Sequence, residues 1–315
     1  MKRPILVIFF SIYCLLFTLH CAYSYWIWSP KTGKWTNPKY QIKPTPKLQL
    51  EYALEFYHQK NYNEALREFK KLIKKYPKSY EASEAQFYVG ACLEDQKKFY
   101  EAYQAYQKVV DVYPFSERIN DVIQREFEIA QTFISGKERK ALGFLPLENP
   151  AIEILNKIIE NSPYGLLAPQ AQYKLGLLLK SLGRYSEAEE EFEKVIRNYP
   201  QSEWAEPAKY QIAVCLTSIS PKPDYTQEAT EEAREKFEEF VRTHPKAKLT
   251  SEAETRLKEL KEKEAESNFK IASFYEKQKD FKSAEIYYRY AVENYPESMW
   301  AAKSLERLRI LEEKR

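Results

Sequence analysis

Glycine is scarce in this chain, with 7 glycines among 315 residues, or about 2%, where about 7% is usual. Folds that need many left-handed or closely approaching backbone positions, such as dinucleotide-binding folds and jelly rolls, are therefore disfavoured. The sequence also lacks a glycine-rich phosphate loop, a nucleophile-elbow motif and an HExxH zinc-protease motif. Its glutamate-rich runs are interleaved with lysine and arginine, which is typical of solvated helix faces. We predict a protein that is not an enzyme and that carries no cofactor.

A strong net charge is also missing, because 49 Lys and Arg residues nearly balance 46 Asp and Glu residues. This balance argues against nucleic acid as a partner. The charge is nevertheless uneven along the chain. The first 50 residues contain seven bases and no acid, whereas the rest contains 42 bases and all 46 acids. A basic N-terminal part therefore precedes a mildly acidic body.

Cysteine and histidine are too few and too scattered to predict a metal site. Two of the four cysteines, Cys14 and Cys21, lie in an N-terminal apolar segment. The other two, Cys92 and Cys215, fall far apart on apolar faces of predicted helices. We expect these two to be small buried side chains rather than a disulfide or a metal-binding pair.

Residues 1–24 have the composition of a signal peptide or a membrane anchor. Lys2 and Arg3 precede an uncharged apolar run at residues 5–19. A short basic region followed by such a run is typical of an export signal. We therefore expect the chain to be exported.

Three outcomes for this N-terminal segment stay open. A signal peptidase would cleave before Tyr25, after small residues at positions −1 and −3. Alternatively, Cys21 is lipidated, although His20 stands where a lipoprotein signal has a small residue. The third interpretation is an uncleaved anchor, because residues 4–23 reach the roughly 20 residues that span a bilayer.

Residues 25–46 form an arm rich in tryptophan, proline and lysine. Trp26, Trp28 and Trp35 lie here, and the turn-forming residues 30–33 between them predict a small hairpin. Tryptophan with lysine beside a membrane segment suits the bilayer interface. The alternative is a strap that folds onto the first repeat and buries the rings.

A repeated pattern occupies residues 47–315. It consists of a small residue at position i, Ala at i+12, an aromatic residue at i+16 and Pro at i+24. The tetratricopeptide repeat has this pattern, in which a small residue lets helix A approach helix B, an aromatic ring fills the pair and Pro ends helix B. Four copies have identical spacing: Ala53, Ala65, Phe69, Pro77; Gly90, Ala102, Tyr106, Pro114; Gly176, Ala188, Phe192, Pro200; and Ala272, Ala284, Tyr288, Pro296. Two copies are stretched: Ala130 with Ala151, Leu155 and Pro163, and Ala213 with Ala233, Phe237 and Pro245.

The repeats predict an all-α solenoid of about six helix pairs. Each amphipathic pair buries its apolar face against its neighbours. Insertions at residues 137–149 and 217–230 fall between helix A and helix B. Residues 249–278 contain no Gly or Pro and predict one long helix of about 45 Å.

An aromatic residue precedes the small residue by three positions in five of the first helices. In this type of repeat the position faces the concave side. One hypothesis is a candidate partner groove in which a peptide or helix docks against the rings. The other hypothesis is that each ring packs against its neighbours and only lines the inner wall of the solenoid. The five residues are Phe87, Phe127, Tyr173, Tyr210 and Phe269.

The chain resembles bacterial cell-envelope tetratricopeptide proteins, and most of all BamD-type lipoproteins of the outer-membrane β-barrel assembly machinery. The resemblance is strongest over residues 205–311, which contain the second insertion, the long helix and the closing Tyr295-Pro296. Six repeats, where that family usually has five, imply a longer solenoid. The shared Tyr-Pro-x-Ser units are Tyr76 to Ser79, Tyr199 to Ser202 and Tyr295 to Ser298.

This resemblance implies a non-catalytic scaffold that is periplasmic and attached to the outer membrane through its N-terminus. Its partners would be a barrel-assembly protein or unfolded barrel peptides. The main alternative is a periplasmic repeat adaptor of cell-wall or division machinery, and no heptad run precedes residue 48 to supply the coiled coil common in such adaptors. A peptidoglycan-processing or secretin-pilot factor is a third class.

Overall fold

The computed structural model describes residues 26–30, 33–37, 41–136, 148–219 and 227–313. Residues 1–24, with Cys21, lie outside this part, so the leader, the anchor and the lipidated cysteine stay predictions. Most of the first insertion and residues 220–226 of the second also lie outside it.

The N-terminal arm contains the predicted hairpin. Strands β1 (Ile27–Ser29) and β2 (Lys34–Thr36) pair antiparallel, with Trp28 directly opposite Trp35. Gly33 has a φ of +63°, a left-handed conformation that glycine adopts without a Cβ clash. Pro30 and Gly33 are both turn residues, and the paired strands agree with the hairpin that the sequence predicts.

Helices make up the rest of the described chain, which divides into two compact units between Val122 and Ile123. The first unit contains α1 (Pro46–His58), α2 (Tyr62–Lys75), α3 (Tyr80–Asp95), α4 (Phe99–Val112) and the beginning of α5 (Ile119–Ile134). The second contains the remainder of α5, then α6 (Pro150–Asn161), α7 (Ala168–Ser181), α8 (Tyr185–Asn198), α9 (Ala205–Ile219), α10 (Gln227–Thr243), α11 (Thr250–Lys277), α12 (Phe281–Asn294) and α13 (Met299–Glu313).

These helices follow the predicted register of six A and B pairs, and α13 comes after the last pair. Within the first unit α1 to α4 pack in sequence order, and within the second α6 to α13 do the same. The fold class is therefore the tetratricopeptide-repeat solenoid. The small and aromatic residues of the repeat form the core: in the first pair Ala53, Ala65 and Phe69 are fully buried, and in the last Ala272, Ala284 and Tyr288 are at most 1% exposed.

Helix B ends at a tyrosine in four repeats because proline follows it. A proline ring disfavours the helical conformation of the residue before it. The four tyrosines accordingly take φ values of −128° to −133°, and each still donates its backbone N–H to the carbonyl four residues earlier. They are Tyr76, Tyr113, Tyr199 and Tyr295.

The predicted long helix is α11, with 28 residues and a length of about 42 Å. It packs against α10, α12 and α13, so it connects the last two repeats. The second insertion lies between helix A and helix B, as expected. It is shorter than the sequence suggested, because α9 extends to Ile219 and α10 begins at Gln227.

Candidate functional site

The five rings of the predicted groove are largely buried. Phe87, Phe127, Tyr173 and Tyr210 are 7%, 3%, 8% and 3% exposed, respectively, and Phe269 is half-buried. Four of the five therefore offer a partner little more than an edge.

In three of the five cases an aromatic residue on helix B of the same repeat covers one side of the ring. Phe87 lies 5.5 Å from Tyr106, and Tyr173 lies 5.5 Å from Phe192, measured between ring centres. Phe269 lies 5.4 Å from Tyr288. In each pair the second ring stands at position i+19 from the first, and it is the aromatic residue of the repeat pattern. The two aromatic positions of the repeat thus form one internal contact.

The start of the following helix covers the other side. The guanidinium carbon of Arg118 lies 4.9 Å from the ring centre of Phe87. Tyr173 contacts Trp204, and Phe269 contacts Trp300, both with ring centres 5.1 Å apart. All three covering residues stand at position i+31 from the ring they cover. Each of these rings therefore lies between three helix segments, and partner binding by them stays a prediction.

A buried polar residue directly before the ring position was missed by sequence reasoning. Gln49 donates a hydrogen bond to the Glu68 carboxylate at 3.0 Å, and Gln86 donates to the Ala105 carbonyl at 2.8 Å. Gln172 donates to Glu191 in the same way. The donor and acceptor are 19 residues apart in every case. The amides therefore tie helix A to helix B beside the ring contact.

The signal for these residues was present in the sequence. Five of the six repeats have Gln, Glu or Asn at this position, and each of the five side chains is at most 8% exposed. A buried polar side chain needs a hydrogen-bonding partner, so its recurrence at one register position indicates a structural contact. Three of the side chains find this partner on helix B, whereas Asn268 donates to the Glu264 carbonyl of its own helix at 2.8 Å. The residues are Gln49, Gln86, Glu126, Gln172 and Asn268.

Lys43 attaches the N-terminal arm to the first repeat. Its backbone N–H donates to Gln49 Oε1 at 2.8 Å, and its carbonyl accepts from the Tyr76 hydroxyl at 2.9 Å. Its ammonium lies 4.1 Å from the ring centre of Tyr52. These contacts hold the base of the arm to both helices of the repeat.

The three arm tryptophans are exposed. Trp26, Trp28 and Trp35 are 59%, 47% and 62% exposed, respectively. Trp28 and Trp35 form an edge-to-face pair with ring centres 5.7 Å apart. A strap that buries these rings against the first repeat does not agree with this exposure.

A cleft in the second unit opens next to one of the predicted ring residues. Its volume is about 780 Å³, and it lies between the turn before α9 and the turn between α10 and α11. Tyr173 lines it together with Glu203, Glu206, Lys246 and Lys248. The cleft therefore combines an aromatic edge with charges of both signs, which suits a peptide segment better than a small apolar ligand.

Partly buried ionic contacts connect the last helices of the second unit. Glu276 on α11 accepts hydrogen bonds from the Tyr288 hydroxyl at 2.9 Å and from Arg307 on α13. Arg234 on α10 faces Glu264 on α11, with Nε and Oε2 3.2 Å apart. Burial raises the pKa of the Glu264 carboxyl, and the hydrogen bond from Tyr295 and the charge of Arg234 only partly offset this. These groups connect helices and do not line the cleft.

The described cysteines are buried, as predicted. Burial raises the pKa of the Cys92 thiol to about 12 and that of Cys215 to about 11, so both are protonated at neutral pH. Within the described ranges no group of His, Cys, Asp and Glu side chains could hold a metal ion. Among the helices of those ranges, none is long and apolar enough to cross a membrane.

The fold and its surfaces define a tetratricopeptide-repeat interaction protein. A tetratricopeptide-repeat family model matches residues 50–117. A second model, YfiO, described as outer membrane lipoprotein, matches residues 148–315, more than half of the chain, and the chain belongs to this family. Both families consist of protein-interaction scaffolds, so the chain is a scaffold of this kind.

Solved structures resemble the chain at the level of the repeat fold. The C-terminal part of a repeat protein from Cytophaga hutchinsonii is 20% identical, with 83% of this chain and 88% of that chain covered and a TM-score of 0.37. A tetratricopeptide repeat protein from Parabacteroides merdae is 16% identical, with 84% and 98% covered and a TM-score of 0.36. These likenesses carry no information on function. No curated protein matches the chain.

Proposed function

We propose that this protein is a non-catalytic scaffold of the cell envelope that binds protein partners during outer-membrane β-barrel assembly. The family match over residues 148–315 is the observation that carries the proposal. That range contains α6 to α13, the cleft and the connecting helix α11. The partner is a barrel-assembly protein or an unfolded barrel peptide.

The cleft beside Tyr173 is the proposed contact for a partner segment. Its volume of about 780 Å³ falls within the range of roughly 300–1,000 Å³ that is usual for binding pockets. Lys246 and Lys248 are exposed at one side, and Glu203 and Glu206 belong to the other. An extended peptide with an apolar side chain between charged groups would complement this surface.

Affinity capture from detergent-solubilised envelopes tests the proposal. The tagged full chain is compared with a cleft variant that carries Lys246→Glu and Lys248→Glu. Reversing two charges in the cleft places like charges against any acidic group of the partner, so recovery of a barrel-assembly protein should fall about tenfold.

A matched control carries the same charge change outside the cleft. Lys258→Glu and Lys263→Glu alter two exposed positions on α11 and should leave recovery unchanged. Reproducible absence of any barrel-assembly protein from the wild-type capture would contradict the proposal. Recovery of a cell-wall or division protein in its place would favour the adaptor interpretation.

Attachment through the N-terminus is the second part of the proposal. Mass spectrometry of the mature N-terminus separates its forms. A diacylglyceryl-modified Cys21 supports a lipid anchor, an intact Met1 supports an uncleaved segment, and an unmodified Tyr25 rules out both. Sucrose-gradient separation of the two membranes then tests the outer-membrane location.

A further inference from the structure

The three tryptophans of the arm share one face of the hairpin. Trp28 and Trp35 are directly opposite each other in the register, so both side chains point to the same side of the two-stranded sheet. Trp26 precedes Trp28 by two residues, and the two-residue period of an extended chain places it on that side as well. Each ring is about half exposed, at 47% to 62%.

Such a face suits a bilayer interface. The indole ring combines a broad apolar surface with an N–H donor, and tryptophan is enriched where membranes meet water. A soluble protein rarely leaves a contiguous cluster of large apolar side chains in water without a binding role. Ile27 lies between Trp26 and Trp28 in the chain and therefore points to the opposite side of the hairpin, so it is not part of this face.

The charge of the arm fits an anionic lipid surface. Residues 25–50 contain five lysines and no acidic residue, whereas residues 51–315 are mildly acidic. Lysines near anionic headgroups strengthen the binding of an interfacial segment. The acidic body of the chain would be repelled by the same surface, so the charge distribution selects the arm as the membrane-binding part.

The position of the arm in the chain also favours the bilayer. Lys43 holds its base to the first repeat through two hydrogen bonds. On the other side, only four residues lie between Cys21 and Trp26, so the distance along an extended chain is at most about 18 Å. An anchor at or near Cys21 would therefore keep the tryptophan face close to the membrane surface.

We propose that Trp26, Trp28 and Trp35 insert together into the interface of an anionic phospholipid bilayer and orient the scaffold on it. The inference rests on the membrane attachment in the proposed function but not on any protein partner. The hairpin acts as a second membrane contact, in addition to the N-terminal attachment, and restricts the orientation of the first repeat on the bilayer.

Fluorescence of the full chain in vesicles tests this contact. Trp204→Phe and Trp300→Phe remove the two tryptophans outside the arm, so that all tryptophan emission comes from the hairpin. Circular dichroism establishes that this variant is folded. The protein is reconstituted into vesicles of phosphatidylethanolamine and phosphatidylglycerol, with a fraction of the lipid brominated either near the ester carbonyls or near the chain ends. Co-sedimentation confirms that the chain is attached.

The expected result is a blue-shifted emission that is quenched at least twofold more by bromines near the carbonyls than by bromines near the chain ends. Replacing Lys31, Lys34 and Lys39 by Gln should weaken this quenching in phosphatidylglycerol vesicles, because fewer charges then attract the arm. Vesicles without anionic lipid should reduce it as well.

The proposal would be overturned if the attached protein kept the emission wavelength of water-exposed tryptophan and aqueous iodide quenched this emission fully. A spectrum that changes only after a purified envelope protein is added would assign the tryptophan face to a protein partner and would also overturn it. Neither result depends on whether the chain takes part in barrel assembly, so that role is judged separately by the capture experiment.

Discussion

Arg118 and Glu84 form a two-point ion pair within the first unit. Nε of Arg118 donates to Oε1 of Glu84 at 2.9 Å, and Nη2 donates to Oε2 at 2.9 Å. The same guanidinium lies over the Phe87 ring and also donates to Asp121. These hydrogen bonds, those to Glu84 first, raise the pKa of Arg118 above its ordinary value. The pair therefore fixes the segment before α5 on α3.

Arg118→Ala should destabilise the protein by about 2 kcal/mol, because it leaves the poorly exposed Glu84 carboxylate without its two donors. Arg118→Lys should recover roughly half of this loss, since an ammonium keeps the charge but cannot form the parallel hydrogen bonds. Urea unfolding followed by circular dichroism measures both changes.

Arg184 provides the control for this prediction. It also pairs with two carboxylates, Glu148 and Glu187, but their side chains are more than half exposed. Arg184→Ala should cost less than about 1 kcal/mol. Because Arg184 also donates two hydrogen bonds to Glu187, the two pairs differ mainly in the exposure of the carboxylate. Equal losses for the two alanine variants would show that the burial of Glu84 does not strengthen its pair.

The small residue of helix A should not tolerate an added methyl group where it is glycine. A Cβ on Gly90 would lie 2.5 Å from Cδ1 of Tyr106, a ring that is fully buried and cannot move aside. Gly90→Ala should therefore lower the free energy of unfolding by about 1–2 kcal/mol, despite the better helix propensity of alanine. Combining it with Tyr106→Leu should cost less than the sum of the two single changes. Additive losses in urea unfolding would contradict this contact.

Three lysines occupy left-handed positions between helix A and helix B. Lys60, Lys97 and Lys279 have φ values of 58°, 62° and 63°, and they correspond to Gly183 in another repeat. Each Lys→Gly substitution should stabilise the protein by about 0.5–1 kcal/mol, because glycine adopts this conformation without the Cβ clash. The reverse change, Gly183→Lys, should destabilise it by a similar amount. Thermal unfolding of the four variants measures the effects, and a loss of stability in all three glycine variants would refute the argument.

Buried tyrosines should make the protein unstable at high pH. Burial, with a hydrogen bond to Glu276, raises the pKa of Tyr288 to about 12, and burial likewise raises the pKa of Tyr210 to about 12. Between pH 10 and 12 the unfolded chain loses these protons while the folded chain retains them. The contribution of these two protonated tyrosines to the free energy of unfolding is therefore fully present below pH 10 and is lost as the pH rises to about 12. The loss should be about 2 kcal/mol for each tyrosine.

Tyrosinate absorbance and urea unfolding measured across this pH range test the prediction. The folded protein should show fewer ionised tyrosines near pH 11 than the unfolded chain, and Tyr288→Phe should reduce the pH dependence of stability. Coinciding titration curves for the folded and unfolded chains would contradict it.

Much of the repeat architecture could be predicted from spacing. The positions of Ala53, Ala65 and Phe69 recur at fixed intervals, and that recurrence predicted both the helix pairs and their buried contacts. The long helix α11 was predicted because residues 249–278 lack Gly and Pro. Such features depend on local helix geometry and on which residues must leave water, and both can be read from the order of residues along the chain.

The candidate site was less accessible to this reasoning. The pattern placed Phe87 and Tyr173 at one face of helix A, but it did not distinguish a groove wall from a core contact. That distinction depends on the residue at position i+31, where Arg118 or Trp204 covers the ring. The cleft beside Tyr173 likewise requires two turns that lie in different repeats and are far apart in the chain.

The sequence alone thus determined the fold class, the register of the pairs, the hairpin turn and the charge difference between the arm and the repeats. Only the tertiary structure decided that Gln49, Gln86 and Gln172 bridge their helix pairs, that four of the five predicted rings are buried and that the arm tryptophans are exposed. Periodicity fixes which side of a helix or strand a residue occupies, because that depends on the local backbone. Whether the side then meets protein or water depends on distant segments that packing brings together.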